Sequence, residues 1–242
     1  MKTLIENLCC AYTGLALSVA LLTMPLTAAE KPVEGPADVF LGEPRFEMQQ
    51  LFAGERLPNI VVATDGTVLA MWGWGQVRVR RSEDGGKSWG PEIRLGNGLN
   101  AGGMTVDENT GHVLAFMEEK VLPDGNQVRD YGLMAGLTRL PVEDRDILIF
   151  SNIESPSGRH HGTVWCSFDG GQTWPIRRLI FEGAFAYSSL AAGRPRTPSE
   201  GWIYLQFEGG PKGGSTVARF NLSWILDGEK TGDGDIPRDV AR

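Results

Sequence analysis

Cysteine is scarce in this sequence: three residues in 242. Cys9 and Cys10 fall in an apolar amino-terminal stretch and Cys166 stands alone. A single thiol closes no intramolecular disulfide, and its place in an apolar, strand-like run predicts a buried and inert group. Histidine is equally sparse, with three residues, so no cluster of imidazole and thiolate ligands is available and no metal site is expected. His160 and His161 read as solvent-facing neighbours of Arg159, and His112 is the only other histidine. Positive charge is in deficit: 23 Lys and Arg stand against 30 Asp and Glu, for a net charge of −7. Nucleic acid is therefore not an expected partner. The run Ala11 to Leu22 is too short and interrupted for a membrane span. Amphipathic helical patterning is also missing, apart from a short segment at Ser223 to Leu226.

What the sequence does contain is punctuation. With 32 glycines and 14 prolines between short apolar runs, it reads as all-β with many turns. Expected strands are Asn59 to Ala63, Val68 to Trp72, Gln76 to Arg81, His112 to Met117, Asp146 to Phe150, Gly162 to Cys166, Trp202 to Phe207 and Thr216 to Phe220. Residues 1–29 carry the pattern of an export signal: Lys2, the apolar run, Pro25, and small residues at Thr27-Ala28-Ala29, with cleavage expected after Ala29. That predicts a secreted or periplasmic protein, with membrane contact only if the signal stays uncleaved. Residues 30–44, rich in Pro, Gly and charge, read as a linker or strapped-down extension, 45–226 as the folded domain and 227–242 as a polar tail. Asp233-Gly234-Asp235 in that tail lacks the ligand spacing and closing Glu of a calcium loop.

One octapeptide occurs twice, as Ser82-Glu83-Asp84-Gly85-Gly86-Lys87-Ser88-Trp89 and as Ser167-Phe168-Asp169-Gly170-Gly171-Gln172-Thr173-Trp174. Each copy follows a strand-like run, so each is expected to be a hairpin turn. The Asp would accept backbone N–H groups, the glycines would take positive φ, and the Trp would cover the hairpin. This is the Asp-box, and on it the chain resembles the sialidase (neuraminidase) family of BNR-repeat β-propellers, where such boxes lie away from the active face. The resemblance implies a β-propeller of four-stranded blades, six in that family. At roughly 40 to 50 residues per blade, this chain supplies about four or five. The shortening is expected around Lys120 to Asp146, because Val121 to Pro141 has little strand character. A ring left open would expose strand edges.

Three further segments resemble the family. Arg56-Leu57-Pro58 is similar to its R-[IL]-P signature, which implies that Arg56 grips a substrate carboxylate. Ala186-Tyr187-Ser188-Ser189-Leu190 resembles the segment holding its nucleophilic tyrosine, which makes Tyr187 a catalytic candidate. Glu208, in Leu205-Gln206-Phe207-Glu208-Gly209-Gly210, matches the glutamate that orients the first arginine and is the other catalytic candidate. Arg159, eight residues before Ser167, stands where a third carboxylate-binding arginine precedes the last box.

The residue types suit an anionic sugar. A planar guanidinium holds a carboxylate through two parallel charge-assisted bonds, and a neutral phenol is not repelled by that anion as a carboxylate nucleophile would be. The implied function is an exported, retaining glycoside hydrolase acting on terminal sialic acids or a related acidic sugar, with a sialylated or acidic glycan as partner and no cofactor. The alternative is a non-catalytic glycan-binding or structural propeller. Each residue also has a plainer reading: Arg56 as a strand-entry surface residue, Tyr187 as a core aromatic, Glu208 as the charged edge of a turn. Two family features have no match, the glutamate that activates the tyrosine and the second carboxylate-binding arginine; Glu118, Glu119, Arg129, Arg139 and Arg145 lie in other contexts. The acid/base aspartate is also unmatched, since Met71-Trp72-Gly73-Trp74-Gly75-Gln76-Val77 contains no carboxylate.

Overall fold

The computed structural model describes residues 33–53, 56–106, 111–118 and 135–240. The export-signal segment lies outside the described residues. The strands, in chain order, are β1 (Phe46–Phe52), β2 (Asn59–Val62), β3 (Val68–Trp72), β4 (Trp74–Ser82), β5 (Ile93–Val106), β6 (Val113–Glu118), β7 (Gly136–Arg139), β8 (Leu148–Ile153), β9 (His160–Ser167), β10 (Ile176–Ala192), β11 (Ile203–Gly209), β12 (Ser215–Phe220) and β13 (Glu229–Lys230). A 3-10 turn at Ala37–Phe40 and one short helix, α1 (Leu222–Leu226), complete the described elements. The fold is nearly all-β.

The strands form two sheets. One has the order β2-β3-β4-β5-β6; the other runs β1-β12-β11-β10-β9-β8-β7, with β13 added to β10. β5 and β10 are long because each serves two ladders. β5 pairs with β4 up to Leu99 and with β6 from Leu99 onward. β10 pairs with β9 through Ala184 and with β11 from Phe185. The ladders thus build antiparallel groups β2–β5, β7–β10 and β10–β11–β12–β1. Where separate blades are expected from the sequence, the described strands are continuous across group boundaries and so merge into two sheets.

Alternation explains the strands with one wet face, such as β4, where Val77 and Val79 point inward between polar neighbours. β11 and β12 are buried along their whole lengths, as strands packed on both faces must be. One apolar cluster joins Ile149, Val164, Cys166, Leu205, Phe207 and Phe220. A second joins Phe52, Ile60, Trp72, Tyr204 and Val217. Cys166 is fully buried, and desolvation pushes its thiol pKa well up.

Both copies of the octapeptide fold alike. The Ser82 hydroxyl donates to Asp84 Oδ1 at 2.8 Å and accepts from the Gly86 N–H at 2.8 Å. Asp84 Oδ1 also accepts the N–H groups of Lys87 and Ser88. In the second copy Ser167, Asp169, Gly171 and Thr173 repeat the pattern. Gly85 and Gly86 have φ of 70° and 83°, and a Cβ on Gly85 would lie 2.1 Å from Pro198 O, so only glycine fits there.

Two segments depart from the expectations, and in a third the structure selects the strapped-down extension over the linker. Of the stretch given little strand character, Val121 to Pro141, the part up to residue 134 lies outside the described residues; the described part contains β7, which is paired with β8 because its partner, not its own composition, defines it. Residues 33–44 are fastened down: Phe40 is buried, the Gly35 N–H donates to Pro141 O, and Gly35 O accepts from Glu143. Past residue 226, β13 pairs with β10 and Val240 is buried. Segments of β2, β5, β7 and β10 together line a cavity of about 350 Å³.

Candidate functional site

Arg56 stands just before β2, and its local backbone is unusual. Leu57 has φ 63°, a left-handed conformation that costs a non-glycine residue about 1–3 kcal/mol. Two buried groups hold it there. Glu208 Oε1 accepts the Leu57 N–H at 2.7 Å, and the Asn100 amide donates to Leu57 O at 2.7 Å. The same Glu208 oxygen lies 3.4 Å from Arg56 Nε. One carboxylate therefore fixes both the backbone bend and the direction of the arginine. β11 ends beside Glu208 on Gly209, φ 123°, where a Cβ would meet Ala184 O at 1.9 Å, so only glycine lets this end of β11 lie against β10.

Tyr187 comes from β10 at an irregularity in the β10–β11 register between Phe185 and Ser188. A bulge re-aims the side chains beside it, and Tyr187 is half-buried rather than part of the core. The Arg56 guanidinium carbon lies 5.7 Å from the Tyr187 ring centre and that of Arg159 lies 5.1 Å from it. Arg159 precedes β9, and its carbonyl accepts the Phe185 N–H at 3.0 Å, so its position is tied to the same part of β10. The structure thus brings together all four residues singled out from the sequence: Arg56, Arg159, Tyr187 and Glu208. Their geometry offers two guanidinium groups around one phenol, with a buried carboxylate behind the first.

His160 and His161 depart from the expectation of solvent-facing side chains. They are half-buried, their Nδ1 atoms are in contact, and His160 Nε2 is 2.9 Å from Ser155 Oγ. Of the unmatched arginines, Arg139 bridges Glu34 and Asp146 at 2.6 and 2.9 Å, while Arg145 pairs with Asp239; neither joins the site. Glu119 and Arg129 lie outside the described residues. Among the described residues no group of three or more His, Cys, Asp or Glu is arranged around a metal position.

Sequence reasoning missed two contributors. Asn100 supports Leu57 from within Gly96-Asn97-Gly98-Leu99-Asn100-Ala101-Gly102-Gly103, a stretch that reads as loop. Trp74 is 54% exposed, and its ring centre is 5.4 Å from the Arg56 guanidinium carbon. Its only sequence signal was its place in a stretch that contains no carboxylate.

No protein-family model matches the sequence. A curated sialidase from Micromonospora viridifaciens is 32% identical over 178 residues, which cover 68% of this chain and 21% of that protein. The chain thus spans about a fifth of the length of that relative. Among solved structures, the intramolecular trans-sialidase from Ruminococcus gnavus is 18% identical, covering 72% of this chain and 34% of its own, with a TM-score of 0.31. The Hadza microbial sialidase Hz136 is 22% identical, covering 71% of this chain and 28% of its own, with a TM-score of 0.33.

Proposed function

Because the chain belongs to the sialidase-like family, we propose that it is an exported glycoside hydrolase that removes terminal sialic acids, or a related acidic sugar, from glycans. The observation that carries this reading is the convergence of Arg56 and Arg159 on Tyr187, with Glu208 holding Arg56. In it, the two guanidinium groups grip the sugar carboxylate through charge-assisted hydrogen bonds. The anomeric carbon, which bears that carboxylate, is then presented to the Tyr187 hydroxyl. As the phenol oxygen bonds to the anomeric carbon the glycosidic bond breaks, the phenolic proton passing through solvent to the departing glycan oxygen; water then displaces the tyrosine with net retention, returning a proton to the phenol. On the same reading the strand groups are propeller blades, and β2, β5, β7 and β10 surround the axis through the segments that line the shared cavity.

The absence of a carboxylate from Met71 to Val77 has a kinetic consequence. A positioned general acid contributes typically 10²–10⁴-fold to rate, and the need for one falls as the leaving group becomes a better anion. The expected behaviour is measurable turnover of an aryl sialoside and much slower cleavage of a natural sialylated glycan. The test incubates the protein with a fluorogenic aryl sialoside and measures, in parallel, thermal stabilisation by an unsaturated sialic acid analogue. Wild-type turnover that falls at least about 100-fold in Tyr187→Phe, together with a raised melting temperature, supports the reading. Stabilisation without turnover would reduce it to binding, and neither response would remove it.

A further inference from the structure

We propose that Trp74 forms a second carbohydrate subsite, stacking on the neutral sugar to which the terminal acidic sugar is attached; this rests on the reading above. Among the described residues, six large hydrophobic side chains are exposed, Val33, Trp74, Ile93, Leu95, Leu137 and Leu179, and Trp74 is the one aromatic among them. Solvent contact at an indole forgoes burial of one of the largest apolar surfaces a side chain offers. Here the ring is also held in a defined place. The Gly73 N–H donates to Arg56 O at 3.0 Å, the Asn100 N–H donates to Gly73 O at 3.1 Å, and Trp74 pairs with Leu99 in the β4–β5 ladder. The bend is tight as well, since a Cβ on Gly73 would lie 2.4 Å from Gln76 O.

Position decides which sugar meets it. The Arg56 guanidinium lies 5.4 Å from the Trp74 ring and 5.7 Å from the Tyr187 ring, so both aromatics fall within the span of a disaccharide anchored at Arg56. The acidic ring is committed by its carboxylate to the arginines and by its anomeric carbon to Tyr187. The sugar beyond that carbon is uncharged and presents a face of C–H bonds. An indole face, electron-rich and half in water, complements such a face through dispersion and C–H to π contact. Arg56 lies beside the same ring, which sets the two subsites next to each other.

The test compares two ligands, free sialic acid and sialyllactose, by calorimetric titration in a Tyr187→Phe background that silences turnover. The background protein is expected to bind sialyllactose more tightly than sialic acid. Trp74→Ala is expected to weaken sialyllactose about tenfold and sialic acid less than about twofold, and Trp74→Phe to recover most of the loss. Equal loss for both ligands would show that Trp74 acts only through Arg56 and would overturn the proposal, as would no loss for either. A background protein that binds sialic acid but gains nothing from the lactose overturns this inference alone. One that binds neither ligand removes the function proposed above together with it. Melting curves of each variant establish that it is folded, and Trp74→Leu, which keeps apolar bulk but has no ring face, stands in if Trp74→Ala is not.

Discussion

Tyr204 and Tyr187 show how environment divides one residue type into two roles. Tyr204 is fully buried, and its hydroxyl has no hydrogen-bond partner among the described residues. Burial pushes its pKa up, despite the nearby Arg219 charge, so the phenol stays neutral in the apolar cluster. An unsatisfied buried hydroxyl costs about 1–3 kcal/mol. Tyr204→Phe is therefore expected to leave stability unchanged or raise it by about 1 kcal/mol, read from urea unfolding midpoints; a clear loss would mean that the hydroxyl has a partner after all. Tyr187 is instead half-buried between two guanidinium groups, so the plainer sequence reading of a core aromatic describes Tyr204 and not Tyr187. Arg56 and Glu208 were legible together because their motifs are short and contiguous. The left-handed Leu57 was not, since a leucine carries no hint of positive φ and the groups that impose it lie far off in sequence.

The paired turns are the elements whose chemistry is written locally. The Thr173 hydroxyl and N–H, then Ser167 and Gln172, lower the pKa of Asp169 from 3.8 to about 2. For Asp84, burial works in the opposite direction, yet hydrogen bonds from Ser88, Ser82 and Lys87 prevail and its pKa is strongly lowered. Above about pH 5 both carboxylates are ionised in the folded and the unfolded chain, and the turns contribute fully. As the pH falls through 3.8 toward about 2, the unfolded chain takes up protons that the folded chain refuses, and stability is lost. The melting temperature is expected to drop between about pH 4 and pH 2, and the double variant Asp84→Asn, Asp169→Asn to drop less steeply; equal slopes would assign the acid response to other groups. The same locality explains why these turns could be read in advance while β5, β7 and β10 could not. Gly96, Gly98, Gly102 and Gly103 make β5 look like loop, and its strand state comes from β4 and β6. The length of β10 follows from serving two ladders, which no local pattern encodes.

At the scale of the whole molecule, β1 pairs with β12 from Phe46 opposite Phe220 to Phe52 opposite Ser215. Asn221 locks the junction: its Oδ1 accepts the Arg45 N–H at 2.9 Å and the Trp224 N–H at 3.0 Å, and its Nδ2 donates to Glu43 O. Phe46 stacks on Trp224 with ring centres 4.6 Å apart. Removal of residues 1–53 would strip β12 of one of its two neighbours and expose that apolar ground. The expected outcome is a lower melting temperature and concentration-dependent association on size-exclusion chromatography; a monomer of undiminished stability would show that the β1 contact is dispensable. Timing follows as well. Arg45 and Asn221 are 176 positions apart, so a growing polypeptide displays β1 unmated until that intervening stretch has been made. Folding cannot finish before translation of the far partner does, and a topology sealed between such distant stretches should refold slowly for its size.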